Sequence, residues 1–533
     1  MKTHQTHTPS LDETNIHRQP REQDSPPDQK QRLHSVNPSN QTIVGEAELT
    51  PPAPAAEFVE HAREAQRAWK RRPLKKRIQR CRNLFHELLG WRKELLELLV
   101  DETGKNDLEA RWELWKTCEE VADILSEADQ QLEPEVEGSR WTPGRRMETR
   151  WQPRGVVLVV ASGYDPLQTT IAPILAALAA GNAVIVVADH RAPLVVQSLT
   201  NIATSTGIAD ALWTGLVGGE ELIDTLADRA DAVISYGSPQ LTRRIARRQA
   251  TRMIPVLGRW PTRDVMIVLN DAPIERAARA AVCAACGGGG RRRRNLRRIY
   301  VQESVFDPFV DAVVEEVGTL KQGGNGREEA MKIGPLFDRQ ELDSMEELVN
   351  QASEAGARLV AGGRARPRCR GTFFEPTVLT GVDESMGIWQ QDAPGPVVAM
   401  ARIQAPAEAV RRTCDGGGYG AVSIYTGNRE VASNLSIRLQ ASVVGINEVV
   451  SDVPASSPTT QATFHGPPDP VGSDRLRALS RRIVTVDGGW KSIPPALETR
   501  TPQRMEQVLD AAINMVHRRG WVQKAVDMVV PGR

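Results

Sequence analysis

Six cysteines in 533 residues (Cys81, Cys118, Cys283, Cys286, Cys369 and Cys414) are too few and too scattered for a disulfide framework. That usage points to a reducing compartment. Net charge is missing as well: 67 basic residues balance 67 acidic ones, so no global field steers the chain toward nucleic acid or a membrane surface. No apolar run approaches the ~20 residues that a membrane-spanning helix needs. The first thirty residues, rich in Gln, His, Pro and Asp, have no apolar stretch of the signal-peptide kind. Too little apolar surface is present there to offset ordering entropy, which predicts a disordered polar tail over 1–32. A cytoplasmic location is the resulting expectation. No internal repeat is visible.

What is present is ordinary globular composition, 40% hydrophobic and 25% charged, in a chain long enough for two or three domains. Helical spacing comes first, with Phe58, Ala62, Ala65 and Trp69, then Ile78, Cys81, Phe85 and Leu88. A third cluster, Leu95, Leu96 and Leu99, runs to Gly104, a residue suited to a helix C-terminus. The run Val156–Val160 predicts a strand buried on both faces, followed by a small-residue helix over about 170–179 and a strand over 183–187. Further strands are expected at 212–217 and 232–236, and Pro193 marks the start of another helix. Parallel strands with short turns at their carboxyl ends make a doubly wound sheet, with its ligand crevice at those ends. From about Gly258 a second α/β region is expected, with strands at 265–269, 298–301 and 397–401 and helices at 308–320 and 340–356. Pro502–Arg519 reads as one more amphipathic helix.

Several short segments then fall in a telling order. Glu102-Thr103-Gly104-Lys105 is followed by Ala179-Ala180-Gly181-Asn182-Ala183-Val184 and by Ile234-Ser235-Tyr236-Gly237-Ser238. Leu257-Gly258, Gly371–Pro376, Gly395-Pro396-Val397, Tyr419-Gly420 and Gly445-Ile446-Asn447 complete the series. In this order and spacing they resemble the aldehyde dehydrogenase superfamily, over roughly His34 to Trp490. The resemblance implies an α/β fold with a Rossmann-type nucleotide-binding domain, an α/β catalytic-type domain and a bridging hairpin that joins subunits into dimers or tetramers. The implied boundaries are N-terminal helices and nucleotide-binding domain over 33–257, catalytic-type domain over 258–440, a return segment over 441–492 and a helical extension over 493–533. The hairpin would use Arg146–Arg154 and a returning strand Arg481–Val486. Family chemistry is oxidation of an aldehyde to a carboxylic acid with NAD or NADP. A cysteine thiolate attacks the carbonyl, a glutamate activates water, and an asparagine amide helps hold the oxyanion.

The positions that the resemblance assigns to these groups hold other residues. Anchoring on the segment Arg297–Val301 places the nucleophile position at Arg293, whose guanidinium has no lone pair for attack. The glutamate position is Val256, unable to take or give a proton, and general-base catalysis is typically worth ~10²–10⁴ in rate. Tyr164 stands at the asparagine position, where its hydroxyl can still donate. The cofactor-facing positions fall at Gly237, Ser238, Ser162, His190 and Asp392. Among them His190 replaces a glutamate that would hold ribose hydroxyls, and Asp392 replaces one that would hold the nicotinamide ribose. Thr242 replaces the last glycine of the phosphate turn. A turn followed by a helix N-terminus can bind phosphate through backbone N–H groups, so NAD or NADP is a candidate ligand.

Two local features admit more than one reading. Cys283 and Cys286 are either a relocated nucleophile or small apolar residues on a buried helix. Gly287–Gly290 precedes Arg291, Arg292, Arg293 and Arg294. This stretch reads as a flexible, solvated loop, since adjacent like charges repel unless paired. Alternatively it forms a pocket for a small anion. A nucleic-acid patch is disfavoured, because no aromatics interleave the arginines. The expectation is a silent homologue or ligand-binding scaffold, homo-oligomeric and with no metal or membrane association. An active oxidoreductase using Cys286 or Cys283 is the alternative, and an interaction protein using its tail and C-terminal helix is another.

Overall fold

The computed structural model describes residues 31–138, 146–208, 210–259, 262–322, 333–366, 369–391, 394–415, 419–450, 460–461, 468–469, 474–487 and 506. The polar tail up to residue 30, the predicted helix Pro502–Arg519 (apart from residue 506) and Asp392 therefore lie outside the described residues.

Valine-rich strands set the first sheet. Val156–Val160 and Ala183–Ala188 are buried at every position, as β-branched residues between two helical layers should be. The five parallel strands run in the order Trp213–Val217, Ala183–Ala188, Val156–Val160, Ala232–Ser235, Val256–Gly258. Chain progression reverses between Val156–Val160 and Ala232–Ser235, and a crevice opens beyond the carboxyl ends of strands at such a switch point. The helix Pro166–Ala180 that leaves the central strand buries every residue except Gln168, and Gly181 closes it at φ +96°. It starts earlier than the periodicity of its apolar residues suggests, because Pro166 takes a first-turn position.

A seven-stranded sheet forms the second lobe, in the order Arg358–Ala361, Thr377–Thr380, Val397–Ile403, Arg294–Gln302, Thr262–Val268, Tyr419–Tyr425, Ala441–Ile446. Only the edge strand Arg358–Ala361 runs antiparallel to its neighbour. The strand expected at 298–301 begins four residues earlier, at Arg294, so part of the arginine run is sheet rather than loop. A third, small sheet pairs Arg146–Pro153 with Ser480–Asp487 from Arg146↔Asp487 to Pro153↔Ser480, and with Glu135–Gly138 on its other side.

Among the elements that the apolar periodicity does not mark, two bear on the site. One is the hairpin Arg32–Val36 with Ile43–Glu48. The other is the 26-residue helix Asp107–Leu132, whose buried stripe is broken by Glu109, Glu113 and Glu120. Its start carries a capping box: Asn106 accepts from the Glu109 N–H at 2.8 Å, and Glu109 accepts from the Asn106 N–H. No helix among the described residues is long and apolar enough to cross a membrane.

Candidate functional site

The crevice at the switch point is a cleft of about 850 Å³. Its walls include Ser162, Asp189, His190, Gly237, Ser238 and Gln391, which brings the described cofactor-facing positions into one cavity. After the strand Ala232–Ser235 the chain turns at Gly237 and enters the helix Pro239–Gln249, with Ser238 accepting from the Leu241 N–H at 3.1 Å. That first turn presents N–H groups and the positive end of a helix dipole, the chemistry that takes phosphate. Thr242, read in the sequence as damage to this turn, faces away. Its hydroxyl is buried against Ser235 Oγ at 2.8 Å and does not line the cleft.

His190 is an exposed rim residue, and its neighbour Asp189 does the structural work. Asp189 accepts from the Gly163 N–H and takes both prongs of Arg191 at 2.9 and 2.8 Å. Burial alone would raise the Asp189 carboxyl, but Arg191 outweighs it and holds the group at about 2. Arg191 continues across the cleft to Glu341 at 2.8 Å, so one ion-pair chain fastens the two lobes. Its guanidinium lies 4.9 Å above the Phe337 ring, and Arg291 lies 4.3 Å from the same ring centroid.

Deeper in, the sites assigned to catalysis are packed with cations. Tyr164 is buried, with Lys105 Nζ 4.1 Å from its ring centroid and Arg291 Cζ 5.1 Å from it. Burial pushes its hydroxyl up to about 12 despite the neighbouring cations, so the group stays a neutral phenol. Arg292 hydrogen-bonds to it. Lys105 Nζ reaches Glu113 at 2.6 Å and Asp165 at 2.7 Å. Burial opposes its charge, but these carboxylates outweigh that effect and hold the ammonium above the usual lysine range. Glu113 also accepts from the Leu167 N–H at 2.7 Å and so caps the helix Pro166–Ala180. Tyr164 lines the large cleft and also two small cavities of about 50 and 40 Å³, and Arg293 lines both small ones.

The arginine run corrects two expectations. It is not a solvated loop, since Arg291 and Arg294 are 6% and 4% exposed. Nor is the glycine run flexible. Gly288, Gly289 and Gly290 all sit at φ of 64–69°, and a Cβ on Gly290 would meet the Gly395 carbonyl oxygen at 1.9 Å. The Gly290 carbonyl accepts from Arg297 at 2.7 Å and Asn295 at 3.2 Å, while the Gly288 N–H donates to Glu109 at 2.6 Å. Backbone carbonyls and aromatic faces take up part of this charge: Arg291 donates to the Thr103 carbonyl at 3.0 Å and lies over the Phe337 ring, and Arg298 donates to the Trp389 carbonyl.

Val256 takes no part in the site and lines a surface groove with Arg154, Ala250 and Met253. Sequence reading overlooked Arg259, three residues on. Its guanidinium enters the 40 Å³ cavity and pairs with Glu120 at 3.1 Å, while Arg475 pairs with the same oxygen. An arginine directly after Leu257-Gly258, where a small residue belongs, was the available signal. The cysteines separate. Cys286 is buried among Ala281, Leu296 and Ile299, and burial pushes its thiol up to about 12. Cys283 is exposed, which corrects its reading as a buried residue. Among the described residues no group of three or more His, Cys, Asp or Glu side chains could hold a metal.

The family model described as "Aldehyde dehydrogenase family" matches residues 25–460. A putative succinate-semialdehyde dehydrogenase [NADP(+)] 2 of Mycobacterium ulcerans is 29% identical over 422 residues, covering 77% of this chain and 80% of the relative. A 3,6-anhydro-alpha-L-galactose dehydrogenase of a Vibrio species is 30% identical over 422 residues, covering 77% and 86%. Among solved structures, a 3,6-anhydro-L-galactose dehydrogenase in complex with NADP superposes with a TM-score of 0.81 at 25% identity, covering 86% of this chain and 96% of the other. A Staphylococcus aureus betaine aldehyde dehydrogenase has a TM-score of 0.82 at 22% identity, covering 87% and 95%, which speaks to the fold alone.

Proposed function

The chain belongs to the aldehyde dehydrogenase family, and from that premise we propose that it is a catalytically silent, dinucleotide-binding member that assembles with copies of itself. What supports the silent reading is Arg293, which the order of the family-like segments sets at the nucleophile position and which lines two cavities of about 50 and 40 Å³. Ligand pockets typically run to ~300–1,000 Å³, so neither of these two cavities takes a sugar or a semialdehyde. Cys286 is disfavoured as a substitute nucleophile, because its buried thiol is pushed up to about 12.

The cleft fits the phosphate half of NAD or NADP. Its volume is ample, and the Gly237-Ser238 turn supplies donors at a helix N-terminus. Elsewhere in the cleft Arg291, Arg297, Phe337 and Pro394 form part of the wall. Bound dinucleotide would supply a hydride acceptor there, while this chain's part is to hold phosphate at Ser238 and to keep Arg291 stacked on Phe337. A fixed guanidinium at that wall disfavours a positively charged nicotinamide ring and tolerates the neutral reduced ring. Calorimetry is expected to show saturable binding of NADH or NADPH, tighter than that of the oxidised form. Under the same conditions succinate semialdehyde and 3,6-anhydrogalactose should give no NAD(P)H above a control lacking protein. Turnover that disappears in Cys283→Ala or Cys286→Ala would overturn the silent reading in favour of a relocated thiol.

Self-association is supported by the strand Ser480–Asp487. It is an edge, and Ile483, Val484 and Val486 are 40–49% exposed along it. An apolar, unpaired edge is a site for pairing with a second copy. Light scattering should give a dimer or larger, and Val484→Lys should shift it toward monomer.

A further inference from the structure

The cavity that replaces the family's reaction centre contains a cation without a matching acid. Arg294 opens the strand Arg294–Gln302 and is 4% exposed. Its Nε and Nη1 are buried without a hydrogen-bond partner. It lines the 50 Å³ cavity together with Arg292, Arg293, Lys116 and Trp112.

The carboxylates on the same wall are already engaged. Glu113 and Asp165 hold Lys105 between them, and Glu113 also caps the helix at Leu167. Glu109 accepts from the Gly288 and Asn106 N–H groups. Lys116 has its own partner, Glu119, at 2.9 Å. Taking a guanidinium out of water with donors unmet is expensive, and proteins retain such a group where something completes it. Lys105 is held by Glu113 and Asp165 and Lys116 by Glu119, so the unmet donors on this wall that an anion would complete are those of Arg294. A volume on the order of two water molecules excludes phosphate esters and nucleotides. A flat guanidinium pairs best with a flat carboxylate through parallel N–H···O bonds, and Trp112 at the wall suits a short alkyl or hydrogen substituent.

We propose that Arg294, with Arg292 and Arg293, forms a receptor site for a small carboxylate of formate to acetate size at the former reaction centre. The site shares Tyr164 with the cleft but none of its arginines, and it does not depend on nucleotide binding.

The test titrates the full chain with sodium formate and sodium acetate, and in parallel with sodium chloride and sodium sulfate at constant ionic strength. Calorimetry and thermal unfolding are read together. Formate and acetate should bind saturably and raise the unfolding temperature, whereas chloride and sulfate should do neither. Arg294→Gln should weaken formate at least tenfold while NADH binding is unchanged. Equal formate affinity in Arg294→Gln overturns the assignment to this residue. Chloride binding as tight as formate overturns the carboxylate. Absence of saturable binding by any of the four means that water alone completes the guanidinium, and the proposal falls. Should Arg294→Gln not fold, wild-type tryptophan fluorescence serves instead: formate should change it saturably, and Trp112→Phe should remove the change. A change that persists in Trp112→Phe places the ligand elsewhere.

Discussion

Replacing Glu120 by glutamine should destabilise the protein severely and in a pH-dependent way. Glu120 is 3% exposed and sits where three parts of the chain meet: Arg259 from the end of the first sheet, Arg475 from the return segment, and Gln168 from the helix Pro166–Ala180. Burial raises a carboxyl, but Arg475 and Arg259 outweigh it and bring Glu120 from an ordinary 4.5 to about 2. That depression corresponds to about 3 kcal/mol. Removing one partner of a buried ion group while leaving the others typically costs about 3–5 kcal/mol, because the remaining charges lose their compensation. Both routes agree on a loss of several kcal/mol for Glu120→Gln. The sign with pH follows from the direction of the shift. A depressed carboxyl contributes stability that is fully present above its unfolded value and is lost as pH falls from 4.5 toward 2. Urea unfolding at pH 7 should therefore show the full loss, and the gap between wild type and Glu120→Gln should close below about pH 4. A second comparison separates charge from packing. Glu120→Leu combined with Arg259→Met and Arg475→Met should recover much of the lost stability, as apolar replacement of a whole buried ion group often does. A loss under about 1 kcal/mol at pH 7, or one that persists undiminished at pH 3, refutes the reasoning.

Gly290→Ala forces a side chain into φ +69° and against the Gly395 carbonyl. It should cost about 2–4 kcal/mol by chemical denaturation, and a neutral outcome would mean that the glycine run is not held in place. Alkylation at pH 8 followed by mass mapping should modify exposed Cys283 and spare Cys286, whose buried thiol is pushed up to about 12. Arg191→Ala cuts the chain from Asp189 to Glu341. It should loosen the lobes, seen as faster proteolysis between them or faster hydrogen exchange around the cleft.

The sequence reads well where one kind of residue dominates a face. Val156–Val160 and Ala183–Ala188 are legible because burial on both sides leaves only apolar residues, and the Gly237-Ser238 turn is legible because phosphate turns need small residues. Legibility fails where burial is polar. The helix Asp107–Leu132 hides because Glu109, Glu113 and Glu120 occupy its inward face, and each is matched by a group distant in sequence: Gly288, Lys105 with Leu167, and Arg259 with Arg475. Adjacent arginines look solvated in one dimension for the same reason, since the carbonyls of Thr103, Trp389 and Gly395 that receive their protons are far along the chain. Even the landmark Glu102-Thr103-Gly104-Lys105 turns out to be four separate contacts. Glu102 caps the helix Pro193–Ser205, Thr103 gives its carbonyl to Arg291, Gly104 makes the turn at φ +70°, and Lys105 enters the ion group under Tyr164. Two of those contacts now serve the cationic centre. The motif is thus tied into packing with residues distant in the chain, among them Arg291, Leu194 and Asp165.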